Sequence, residues 1–240
     1  MEWQDSGILL ATRPHGETSA IVEILTVDHG RHAGIVRGGV SRRLRPVLQP
    51  GSGVHVTWRA RLEAHLGTFT VEPEKSRAHL LSSRTGLAGL NAITAMARAL
   101  LPEREPFRDQ YQATKALLDR MDTPDWPAHY ILWEIRLLEG LGYRLTLQNC
   151  AVTGISTGLA YVSPKSGHAV TAEAGAEYAD RLLPLPPFLR PEASDIPISR
   201  EHLQQGMALT GHFLRNWVCH ATGVEHLPPA RERLEAVLTR

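Results

Sequence analysis

The chain has 240 residues, 42% of them hydrophobic, two cysteines and a net charge of +1. Such a length and apolar content allow one large or two small domains with a sizeable core. The near-neutral balance excludes a uniformly basic nucleic-acid coat, and two cysteines exclude a disulfide framework and fit a reducing compartment. The opening MEWQDSGILLATRPHGE lacks a basic segment followed by an apolar run and a small-residue cleavage site. No run reaches the roughly 18 apolar residues that a membrane helix needs. A soluble, cytoplasmic protein is expected, with no membrane partner.

The first 75 or so residues read as strands. Gly7 to Thr12 is a short apolar run, and Ala20 to Val27 is β-branched and stops at the turn-like Asp28-His29-Gly30. Ile35 and Val36 belong to a third run that ends at Gly38-Gly39. Val54, Val56 and Trp58 alternate with polar residues, as do Phe69 and Val71. Five short strands in this length predict a small closed barrel, of the OB or the SH3-like kind.

After Pro73 the period becomes helical. Leu87, Leu90, Ile93, Ala97 and Leu100 fall on one face, and Phe107, Tyr111, Thr114, Leu118 and Met121 line a second helix. A third, from about Ala128 to Leu141, is apolar nearly all round and reads as a central buried helix, with Gly142 as its cap. Residues 143–170 look irregular, Ala172 to Leu183 suits a helix, and PLPPFLRPEASDIP is a proline-rich connector. Ser199 can cap a long helix to about Ala221, and Ala230 to Leu238 forms a tail helix. The expected layout is α+β: a β module over 1–76, then a helical domain over 77–240 with an irregular insert at about 143–171.

Charge is placed unevenly. Between Asp28 and Glu63 there is no acidic residue, yet the interval holds Arg31, Arg37, Arg42, Arg43, Arg45, Arg59 and Arg61. The densest part, VRGGVSRRLRP, joins two strands as a flexible loop able to follow a phosphate backbone, and the arginine fork matches phosphate oxygens bidentately. These seven arginines are the candidate DNA-binding residues, contacting backbone with little sequence preference. Trp58 and Phe69 are candidates for base stacking, although barrel-core packing suits both better. Gly154-Ile155-Ser156-Thr157-Gly158 matches a nucleophile-elbow pattern but is followed by an extended segment rather than a helix. The twelve histidines show no metal spacing, and no phosphate-cradling P-loop is present. No catalytic residue survives this inspection, so an enzyme is not expected.

Several segments together resemble the bacterial RecO family. GILLATRPHGETSAIVEILTVDHG looks like its first two strands, VRGGVSRRLRPVLQPG like its basic loop, and LPEREPFRDQY and WEIRLLEGLGYRLTLQNCAVTG like its helical segments. YVSPKSG is similar to the extended piece of its insert, and PPARERLEAVL is a fainter match. The resemblance implies an N-terminal OB-fold barrel followed by an all-α domain. It implies binding of single- and double-stranded DNA, annealing of complementary strands, and help to RecA in displacing the single-strand-binding protein SSB. The implied partners are RecR and the acidic SSB C-terminal tail, with RecF as a further candidate. Arg98 and Arg136 are the candidate basic edges of a groove for that tail.

One departure stands out. Many members carry a four-cysteine zinc site in the insert. This chain keeps only Cys150, has Thr153 at the partner position, and has no cysteine in GHAVTAEAG, with His168 the one nearby ligand. Zinc needs about four such ligands. No zinc or other cofactor is therefore expected, and packing around Leu145, Leu147, Val152 and Tyr161 is expected to hold the insert. Two other classes stay open: an OB-fold RNA-binding protein and a protein-interaction scaffold.

Overall fold

The computed structural model describes residues 1–192 and 196–239. The chain forms two compact units. The first comprises 1–122 with Pro228–Arg231; the second comprises 123–227 and the chain from Glu232 onward. The change from strands to helices falls where the sequence predicts it, near 76, but the first two helices belong to the same unit as the barrel.

That barrel has five strands, β1 (Glu2–His15), β2 (Ser19–Thr26), β3 (Arg31–Val36), β4 (Gly53–Arg59) and β5 (Thr68–Lys75). They close in the order β1-β2-β3-β5-β4, the five-stranded OB arrangement. β1 is long because it serves two neighbours. Glu2 to Ile8 pairs with β4, and Gly7 to His15 pairs with β2. The register shifts between Leu9 and Ala11, a bulge that lets the strand bend from one partner to the other. The expected strand at Gly7 to Thr12 is only the middle of this element. The earlier half, EWQDS, carries no apolar run, yet Asp5 is buried and accepts hydrogen bonds from the Asp28 amide (2.8 Å) and His29 Nδ1 (3.0 Å).

Inward residues alternate as a strand period demands: Val22 and Ile24 on β2, Val54, Val56 and Trp58 on β4, Phe69 and Val71 on β5. The Trp58 indole donates to the Leu66 carbonyl at 3.1 Å. Gly67 adopts φ 68° against the indole, where a Cβ would lie 2.4 Å from Trp58 Nε1, so both conformation and space require glycine there.

Helix α1 (Arg84–Leu100) is capped by Ser83, whose hydroxyl accepts the Gly86 amide at 2.8 Å. Leu90, Ile93, Ala97 and Leu100 are buried as the periodicity predicts, while Leu87 is exposed. Helix α2 (Arg108–Arg120) buries Tyr111, Thr114 and Leu118. Arg77, itself buried, ties α2 to the barrel: it donates to Asp119 (2.9 and 2.5 Å) and to the Gly51 carbonyl (2.6 Å). Burial alone would raise the Asp119 pKa, but Lys75 and Arg77 hold it below the usual range.

In the second unit, α3 (Trp126–Gly140) runs against a later helix with Ile131 facing Gly206, where a Cβ would meet Ile131 Cδ1 at 2.7 Å. The predicted apolar helix also buries Glu134 completely, which accepts from Tyr130 Oη (2.8 Å) and Thr210 Oγ1 (2.5 Å). Apolar periodicity gives no warning of such a group. The insert is not wholly irregular. β6 (Leu159–Val162), β7 (Ala169–Thr171) and β8 (Leu183–Pro184) make a sheet in the order β7-β6-β8, of strands too short to show a period. The helix expected up to Leu183 is a single turn, α4 (Ala172–Gly175), followed by a 3-10 segment (Ala176–Arg181). Residues 193–195 of the proline-rich connector lie outside the described residues. Ser199 caps α5 (Arg200–Phe213), which continues through a π-helical stretch (Leu214–Cys219) into α6 (His220–Thr222) and stops at Gly223 with φ 71°. The tail helix α7 (Pro229–Leu238) is present as expected.

His32 points into the barrel end among Trp3, Trp58 and Phe69 and is 4% exposed. Neither ring nitrogen has a hydrogen-bond partner among the described residues. Burial, aided by the charges of Arg104 and His29, pushes its pKa down to about 4. The unfolded chain, with an ordinary histidine pKa of about 6.5, then binds more protons between these values, so stability falls with pH through that window and levels off below it. From pH 7 to about pH 5 this group should remove about 2 kcal/mol. Denaturant unfolding of His32→Leu should lack that share of the loss; equal losses in variant and wild type would contradict the assignment.

Candidate nucleic-acid interface

The residues between β3 and β4 are not a free loop. Ser41 starts a helical turn: its carbonyl accepts the Arg45 amide (3.0 Å) and its hydroxyl accepts the Leu44 amide (3.3 Å). The Leu44 carbonyl then accepts the amides of Val47 and Leu48, both at 2.9 Å. The turn presents Leu44, Val47 and Leu48 to the barrel core, with Leu48 buried. Thr12 Oγ1 donates to the Leu48 carbonyl at 2.9 Å and fixes the turn to β1. Expected flexibility therefore gives way to an anchored turn. Apolar residues three and four apart face inward, and Arg42, Arg43 and Arg45 before and between them face out.

Arg37, Arg42, Arg43 and Arg45 are exposed, as is Arg61 on the β4–β5 connection. None of these five forms an ion pair among the described residues. Arg59 is exposed and pairs with Glu2 at 2.7 Å. A hydrogen bond from Arg59 holds the Glu2 carboxyl below its usual range. Such exposed pairs contribute little and exchange readily for another anion.

β3 and β5 are joined by one parallel bridge, Ile35 to Thr68. A groove of about 630 Å³ opens beside it. Arg37 and Arg43 line it from the turn, Arg59 from β4, and Thr68 and Thr70 from β5. The groove thus joins three guanidinium groups to two hydroxyls, a set suited to phosphate oxygens. The two threonines were not among the expected residues, because a solvent-facing threonine on a strand is unremarkable until the neighbouring turn is in place.

Two expectations need correction. Arg31 is 14% exposed in its side chain and engaged internally: Nη1 meets Glu23 (3.1 Å) and Glu103 (3.3 Å), and Nε donates to the Leu101 carbonyl (2.9 Å). Trp58 and Phe69 are 1% and 4% exposed, so they fill the barrel instead of offering a stacking face. Arg98 is exposed and pairs with Glu23 at 2.6 Å, joining α1 to β2, so like Arg59 it stays a candidate contact. Burial acts to raise the Glu23 pKa, but Arg98 and Arg31 hold it down. Arg136 is exposed on α3 and belongs to the other unit from Arg98. Sequence reasoning also missed Arg104, which adopts φ 61° and donates to the carbonyls of Glu63, Ala64 and His65, holding the β4–β5 connection in place.

The family model described as "Recombination protein O N terminal" matches residues 1–77, and "Recombination protein O C terminal" matches residues 81–221. The chain belongs to the Recombination protein O family. It is 53% identical to a "DNA repair protein RecO" of Cereibacter sphaeroides, over 100% of this chain and 99% of that protein. Proteins of the same name from Roseobacter denitrificans and Paracoccus denitrificans are 49% and 47% identical, again over 100% of this chain and 99% and 97% of theirs. Membership makes this a DNA repair and recombination protein with an OB-fold barrel and a helical domain. No helix among the described residues is long and apolar enough to cross a membrane.

Among the described residues no three histidine, cysteine or acidic side chains are grouped to hold a metal. Cys150 is buried and its sulfur accepts the Thr171 amide at 3.4 Å. Burial raises its pKa, but hydrogen bonds, led by those from Thr153, bring it down to about 6. Hydrogen bonds with Thr153 and Thr171 thus surround the Cys150 sulfur. Main-chain bonds close the knuckle, from Ala151 to Ala169 (2.9 Å) and from Thr146 to Gly167 (3.0 Å). Leu145 and Leu147 are buried beneath it and Tyr161 is half-buried, whereas Val152 is exposed at the turn instead of packing. Elemental analysis of the purified chain should find no stoichiometric zinc; one zinc per chain would overturn this account of the insert.

Proposed function

We propose that the barrel binds the phosphate backbone of DNA through Arg37, Arg42, Arg43, Arg45, Arg59 and Arg61. Neutralising two strands lowers their mutual repulsion and lets complementary strands anneal without a chemical step. The observation that carries this reading is the set of exposed arginines free of ion pairs on an anchored turn beside a groove lined by hydroxyls. An anchored turn loses little conformational entropy on binding, so the electrostatic gain is retained. Single- and double-stranded DNA both present the required phosphates, and family membership in DNA repair supports this reading. We further propose that the chain works with RecR and with the SSB tail to help load RecA, RecF being an additional candidate partner. Arg98 on α1 and Arg136 on α3, both exposed, are each candidate contacts for the acidic tail.

Counterion release dominates such binding. About four or five phosphate contacts to a single strand give a slope of log affinity against log salt near −3 to −4. Replacing Arg42, Arg43 and Arg45 together by alanine should weaken binding and bring the slope to about −1 to −2. Fluorescence anisotropy with a labelled oligonucleotide at several salt concentrations measures both quantities. An unchanged slope would remove the turn from the interface.

A further inference from the structure

The anchored turn has two sides, and both are concave. On the β3–β5 side lies the groove with Arg37, Arg43 and Arg59. On the β1–β2 side lies a second hollow of about 330 Å³. Its cation is Arg45, and Val40, Pro14 and Pro50 supply apolar wall. Gly39 lies directly on β2, where a Cβ would be 2.6 Å from that of Ala20, so the chain leaving β3 presses onto the barrel and leaves room above it. Leu44 lines the first concavity and Leu48 the second, so the same turn that fills the core forms the ridge between them.

We propose that the smaller hollow is a second polynucleotide track, so that the barrel holds one strand on each side of the ridge. This inference rests on the phosphate-binding reading above and adds a division of labour to it. Arg45 is exposed without an ion pair among the described residues, and it lines the smaller hollow, not the groove. A nucleotide offers what that hollow lacks: an anion for the guanidinium and a flat apolar face for Val40 and the two prolines. Neither concavity is lined by an acidic residue, so neither side repels a phosphate from its own wall. Two strands on opposite flanks of a narrow cationic ridge are screened from each other by the arginines between them. That is the condition for pairing to begin between strands held on one protein.

The test uses oligothymidylate, which is unable to pair with itself, and native mass spectrometry of the full chain at low salt. Wild type should hold two oligonucleotides per chain. Val40→Glu, which sets a carboxylate at an exposed position of the smaller hollow and alters none of the arginines, should hold one, with its first dissociation constant unchanged and most of the annealing rate lost. Arg37→Ala/Arg43→Ala should weaken the first constant instead. A single path over the ridge predicts that Val40→Glu weakens the first constant as much as Arg37→Ala/Arg43→Ala does, and that result overturns the proposal. So does wild type that binds one oligonucleotide only. Wild type that binds none overturns the phosphate-binding reading itself and this proposal with it, an outcome distinct from the other two.

Discussion

Closing a five-stranded sheet on itself leaves an apolar interior that its own strands do not fully cover. Here the connection from β3 to β4 covers it, through Leu44, Val47 and Leu48. A buried leucine of this kind contributes on the order of 2–5 kcal/mol, judged by its replacement with alanine. That is large enough to fix the conformation of the turn that carries it. The arginines interleaved with those apolar residues have no inward space, and no carboxylate lies nearby in the sequence to neutralise them. Packing of the barrel and presentation of charge are therefore one arrangement.

The same logic sorts the arginines. Two are absorbed beside the first two helices, Arg31 by Glu23 and Arg77 by Asp119, and exposed Arg98 on α1 shares Glu23. Those on the turn and the β4–β5 connection are left to solvent. The absorbed group holds the first two helices to the barrel, and the exposed group is available to a polyanion. A count of arginines along the chain mixes these two populations.

Much of the barrel was legible from alternation at Val54, Val56, Trp58, Phe69 and Val71, because a strand with one face in the core writes its period into the sequence. The first half of β1 was not, since its inward residues are Trp3 and Asp5 with polar neighbours. The helices α1 to α3 were legible from their stripes, but Glu134 was hidden, because burial of a carboxylate there depends on Thr210 arriving from α5 to join Tyr130 of the same helix. The strands of the insert were too short for any period. The candidate site was half legible. Absence of acids marked the segment, and the Leu44, Val47, Leu48 spacing that anchors it stood in the sequence but reads as a helical turn only once the barrel beneath is known. The identity of the exposed arginines depended on where Glu23 and Glu103 come to lie, which is tertiary information.

The central claim is that an anchored arginine turn on an OB barrel is the surface that meets DNA. Hydrogen–deuterium exchange of the full chain with and without a single-stranded oligonucleotide tests it most directly. The account predicts added protection over residues 37–50 and 68–71, with α3 and α5 unchanged. Protection confined to the helices of the second unit, with the turn exchanging as in the free chain, would contradict it.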